Sequence, residues 1–128
     1  MKKFLVLLVV ILTLSANMQA ENIKLKAFSM TYTANGQIHT ERVNIDIYVN
    51  FEISRCVIFS NSTQVIDFKV IRTYLDADNF TVMECNATDT NYNNIKFEIL
   101  SHTTENKVMI LISYNNLTYI YSCYVADE

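Results

Sequence analysis

Three cysteines and two histidines carry the most reactive side chains in the chain: Cys56, Cys85, Cys123, His39 and His102. Zinc sites draw their ligands from closely spaced Cys and His pairs, and no two of these five residues fall at such a spacing. The three thiols leave two readings open. In an oxidising compartment one disulfide and one free thiol is the arithmetic outcome, with Cys85 and Cys123 the expected pair and a contribution of about 2–4 kcal/mol. Otherwise all three pack in the core as small hydrophobes.

Nucleophilic catalysis needs a nucleophile held beside a base. The histidines fall in expected connections, and a Gly-x-Ser-x-Gly elbow cannot be built in a chain whose single glycine is Gly36. The thirteen acids could always supply two carboxylates for glycoside cleavage, but availability is not a pattern. Asp76, Asp78 and Asn79 bunch oxygens as a calcium loop would, without the glycine and distant bidentate glutamate of an EF-hand, so they read as a solvated turn. The sequence therefore predicts no catalytic residue, no metal ligand and no cofactor. Asn61-Ser62-Thr63, Asn79-Phe80-Thr81, Asn86-Ala87-Thr88 and Asn116-Leu117-Thr118 match the N-glycosylation acceptor pattern, which matters only in a eukaryotic secretory pathway.

The tyrosines are the remaining signal. Tyr114, Tyr119, Tyr121 and Tyr124 cluster near the C-terminus, where they serve either cross-strand packing or an aromatic wall for a ligand or partner. Their placement depends on a hairpin. Asn115-Asn116 between two apolar runs suits a two-residue turn, because Asn tolerates positive φ. That turn sets Tyr114 opposite Leu117, Ile112 opposite Tyr119, Ile110 opposite Tyr121 and Val108 opposite Cys123 on an inward face. The other face, with Met109, Leu111, Ile120 and Tyr124, is also rich in apolar and aromatic groups. These four are the candidate contact residues for a ligand or partner.

Upstream, Ile23 to Thr33 begins with inward Ile23, Leu25 and Ala27 and then loses its alternation at Phe28 and Met30. Asn35-Gly36 is a strong hairpin signal leading into Gln37 to Thr40. Val43, Ile45, Ile47, Val49 and Phe51 alternate with polar residues and form the clearest strand pattern. Further strands are expected at Cys56 to Phe59, Gln64 to Tyr74, Phe80 to Ala87 and Asn94 to Leu100. No stretch after Glu21 has the spacing of a long amphipathic helix. About eight short strands at intervals of about ten residues predict an all-β fold, an antiparallel up-and-down meander closed into a small barrel, with a β-sandwich as the alternative. Short connections favour the meander.

Lys2 and Lys3 precede the uncharged run Phe4 to Leu14 and the small, polar stretch Ser15 to Ala20, which is the layout of a secretory signal peptide. The expected organisation is a signal peptide at 1–20 and a single all-β domain at 21–128, secreted or periplasmic, with no stable membrane span after cleavage. Loss of Lys2 and Lys3 leaves eight basic residues against thirteen acids. An acidic chain without a basic run lacks the surface that nucleic acid requires.

Cys56-Val57-Ile58-Phe59-Ser60, the returning Gln64-Val65-Ile66-Asp67-Phe68 and the closing Ile112-Ser113-Tyr114-Asn115-Asn116-Leu117-Thr118-Tyr119 resemble small, uncharacterised secreted bacterial proteins with a lipocalin-like (calycin-type) meander barrel. The Gly-x-Trp motif of true lipocalins is absent, since the chain has no tryptophan. The resemblance implies a fold and an export route. The expectation for function is an exported binding module for an apolar or sugar-like ligand or a protein partner, at the barrel mouth or the apolar outer face. An interaction protein or inhibitor using its outer surface is the alternative, ahead of a hydrolase.

Overall fold

A computed structural model describes residues 22–126 as eight strands in chain order. These are β1 (Asn22–Ala34), β2 (Gln37–Asn50), β3 (Arg55–Phe59), β4 (Gln64–Leu75), β5 (Phe80–Thr88), β6 (Asn94–His102), β7 (Val108–Ser113) and β8 (Leu117–Val125). Each pairs antiparallel with its chain neighbour, and β8 pairs with β1 to close the barrel. The expected meander barrel is the observed fold, and the sandwich is set aside. The expected signal peptide at 1–20 lies outside the described residues.

Turn chemistry explains the connections. Asn35 and Gly36 take φ of 53° and 78°, the left-handed values that a tight hairpin of this kind needs at both central residues. At the closing hairpin, Tyr114 N–H donates to the Leu117 carbonyl at 2.7 Å, and the cross-strand pairs follow the register expected from Asn115-Asn116. Asp76 is the head of an Asx turn, its Oδ1 accepting from the backbone N–H groups of Asp78 and Phe80 at 2.9 Å each. Asp89 heads another, accepting from Asn91 N–H and Asn93 N–H.

The connections at 35–36, 60–63, 89–93 and 114–116 gather at one end of the barrel, here called the mouth, and the others at the base. Below the mouth the interior is packed. Ile47, Ile58, Ile66, Met83, Ile99, Ile110 and Cys123 are buried inward residues contributed by strands from β2 to β8. Phe51, Phe68 and Phe97 meet across this space, with ring centroids 6.3 Å and 5.2 Å apart.

Three features depart from the sequence reading. The stretches Gln37 to Thr40 and Val43 to Glu52 form one continuous strand as far as Asn50, because β1 pairs along its whole length. Phe51 leaves the strand but stays buried, its turn stabilised by the Asn50 carboxamide oxygen accepting from Glu52 N–H and Ile53 N–H. The expected Cys85–Cys123 disulfide is not formed, and Cys56, Cys85 and Cys123 are all free and buried. Cys85 lies on β5 and Cys123 on β8, so β6 and β7 separate them around the wall, and inward direction alone does not bring their sulfurs together.

Candidate functional site

The loss of alternation near Phe28 is a bulge. Between Ala27 and Ser29 the register of β1 shifts against both neighbours, so the inward positions change from odd to even numbers. Beyond it Met30, Tyr32 and Ala34 share the inner face with Tyr121, Tyr119 and Leu117 of β8 and with Glu41, His39 and Gln37 of β2.

The result is an aromatic row across three strands near the mouth. Tyr32 stacks on His39, with centroids 5.0 Å apart and an interplanar angle of 22°, and lies 6.2 Å from Tyr119. Tyr114 meets Tyr119 edge to face at 6.4 Å. Its hydroxyl donates to Asp89 Oδ2 at 3.0 Å, fixing the ring against the 89–93 connection. Tyr32, Tyr114 and Tyr119 are half-buried, whereas Tyr121, one row deeper, is buried.

Among the described residues, no strand closes over the wall. β3 pairs with β2 only between Asp46 and Asn50. From Gln37 to Ile45, β2 has no strand on that side among the described residues, so the inner face of β1, β2 and β8 opens laterally there.

Burial and hydrogen bonding shift three ionisable groups at the wall. Burial, reinforced by the hydrogen bond to Asp89, pushes the Tyr114 hydroxyl up to about 12, so it is a donor at neutral pH. Burial also raises Tyr121, with Tyr119 adding to it. Asp89 is held below the ordinary carboxylate value. Desolvation pushes it upward, but hydrogen bonds from Asn93, Tyr114 and Asn91 together outweigh that push. Among the described residues, no three His, Cys, Asp or Glu side chains gather as a metal site requires.

The residues expected from sequence as contacts occupy the opposite, outer face. Leu111 and Ile120 are cross-strand partners, and Met109 pairs with Ser122 one row toward the base. All three are half-buried. Tyr124 is 41% exposed and stacks with Phe28, itself 51% exposed, at 6.2 Å. The structure thus joins Leu111 to Ile120 and gives Tyr124 a different partner. Tyr119 and Tyr121 line the interior as expected. Tyr32 and His39 escaped the sequence reading, because the bulge inverts the facing of Tyr32, and only the pairing of β1 with β2 and its closure on β8 bring His39 and Tyr119 beside it.

His102 is not on the wall: its Nδ1 accepts from Thr104 N–H and Glu105 N–H, bracing a base turn. The acceptor-pattern residues Asn61, Asn79, Asn86 and Asn116 are all exposed.

These features define a small closed meander barrel with a packed interior and an aromatic inner wall open at the mouth. Compared with models of known protein families and with curated protein sequences, the chain matches none.

Proposed function

We propose that the protein is an exported binding module whose inner wall at the mouth takes a sugar-like ligand. The supporting observation is the Tyr119–Tyr32–His39 row, continuous over three strands and open to one side, with Tyr119 and Tyr32 half-buried and His39 exposed. Aromatic faces take up the apolar face of a pyranose ring, and polar groups beside them bind its hydroxyls. Glu41 and Gln37 stand in the adjoining rows of the same face, and Tyr114 and Asp89 border it at the mouth. Between the two ligand classes expected from sequence, the packed interior favours the sugar. A long acyl chain needs depth, and Phe51, Phe68 and Phe97 fill the interior with their rings, Phe97 in the row that runs through Ile112 to Tyr119. Export is supported by the double-lysine, apolar and polar layout of residues 1–20. The buried thiols are compatible with it, since none is accessible to an oxidant.

A second reading places a protein partner on the outer face. Its support is the exposed Phe28–Tyr124 stack beside the Leu111–Ile120 pair.

The chain has no tryptophan, so intrinsic fluorescence reports on its tyrosines directly. Titration with a panel of soluble neutral oligosaccharides is expected to change that signal saturably for at least one of them. Tyr32→Ala should then weaken binding by about 5- to 30-fold, corresponding to about 1–2 kcal/mol for one stacked ring. Saturation by palmitate but by no sugar would reject the sugar assignment.

A further inference from the structure

The free border of β2 is a surface in its own right, and its turn fixes which backbone groups it offers. A two-residue hairpin loop is closed by a hydrogen-bonded pair, here Ala34 with Gln37, and such pairs alternate with non-bonded ones along an antiparallel ladder. Gln37, His39 and Glu41 therefore direct their N–H and C=O groups to β1. Ile38, Thr40 and Arg42 direct theirs away from it, where no other described strand lies. This segment is exposed throughout, and Ile38 is 71% exposed.

We propose that this border pairs antiparallel with the same border of a second copy of the chain, about a two-fold axis through Thr40. In that register Thr40 faces Thr40 of the second copy and Ile38 faces Arg42, so every outward N–H and C=O of the three residues has a partner. On the inner face each His39 lies opposite a Glu41, a ring N–H donor against a carboxylate acceptor. Axes through Glu41 or Arg42 set like charges opposite each other. An axis through His39 leaves the outward groups of Arg42 facing a turn.

Length also fits this register. Gln37 of the second copy reaches Val43, and its Asn35-Gly36 turn then falls beside Asn44 and Ile45, just short of Asp46, which β3 occupies through Phe59. Charged residues on an edge strand ordinarily discourage pairing. Here they discourage the other registers and match in this one. Pairing also joins the two inner walls, extending each Tyr32–His39 row to Glu41 of the second copy. The inference rests on backbone direction and charge, and stands whether or not the wall binds a sugar.

Sedimentation velocity of the purified protein over a range of concentrations tests it without any added ligand. The expected result is a reversible monomer–dimer equilibrium. Thr40→Pro removes an outward N–H and no backbone bond to β1, losing only the exposed Thr40 Oγ1–Thr31 Oγ1 hydrogen bond, so it should give a monomer with an unchanged circular dichroism spectrum. His39→Glu, which sets carboxylates opposite Glu41, should weaken the dimer by about tenfold, and the double substitution His39→Glu with Glu41→Lys should restore it. A monomer at every concentration overturns the proposal and leaves the border to an extended strand of another protein. A dimer indifferent to the charge substitutions overturns it as well, even if Thr40→Pro disturbs the fold.

Discussion

Cys56, Cys85 and Cys123 show how the barrel governs reactivity at single residues. Burial raises all three thiols, with Cys85 and Cys123 reaching about 12, so at neutral pH none supplies the thiolate that attacks disulfides or oxidants. With export as proposed, intact mass of the mature protein without reductant is expected to show three free thiols and an N-terminus at Glu21. A thiol reagent should label them only after denaturation. A mass short by the hydrogens of one disulfide would contradict this. Cysteine spacing along the chain could not reveal the separation of Cys85 from Cys123, because it depends on how many strands intervene around the wall. The hydrogen-bonding role of Tyr114 was equally hidden, since Asp89 comes within its reach only through the 89–93 connection.

At the scale of elements, pairing places some charges at a disadvantage. Glu84 and Glu98 are direct cross-strand partners on the outer face of β5 and β6, and Leu111 lies on the far side of Glu98. Burial first, and Glu84 second, raise the Glu98 carboxyl, while Lys96 and Arg72 oppose the shift. Because the folded-state value lies above the unfolded one, ionising Glu98 costs folding free energy. The cost is absent below the unfolded value and complete above the raised folded one. Glu98→Gln is therefore expected to raise the thermal midpoint at pH 7, with the gain vanishing below about pH 4. An equal gain at both pH values would assign the effect to packing instead.

The same scale explains what could be read in advance. Strong alternation from Val43 to Val49, the Asn-Gly turn and the Asn115-Asn116 hairpin specify their elements locally, and the structure follows them. The bulge at Phe28 registered in the sequence as a broken pattern, yet which face Tyr32 takes beyond it depends on β8 and β2 together. Val82, Met83 and Cys85 are all apolar, so alternation alone does not set the facing of Val82. It points outward with Tyr74 and Leu100 as cross-strand partners, yet is only 3% exposed.

For the whole molecule, closure of β1 on β8 and the shortness of β3 act together. Closure packs the interior below the mouth, and the short strand leaves the upper wall of β1, β2 and β8 open beside a border with no strand partner among the described residues. A longer β3 would cover both. The aromatic wall and the pairing border thus arise from one architectural feature, although they are tested separately. The meander was legible because every connection is short. The open wall was not, because it depends on where pairing stops rather than on where strands begin.

The proposed function places the ligand on the inner wall at the mouth. The most direct test is to map backbone and tyrosine-ring NMR shifts while titrating the tightest oligosaccharide from the panel. Binding there predicts saturable shifts at Tyr32, His39, Tyr114 and Tyr119, with Leu111, Ile120 and Tyr124 unmoved. Shifts confined to Leu111, Ile120 and Tyr124, or no shifts with any sugar, would contradict it.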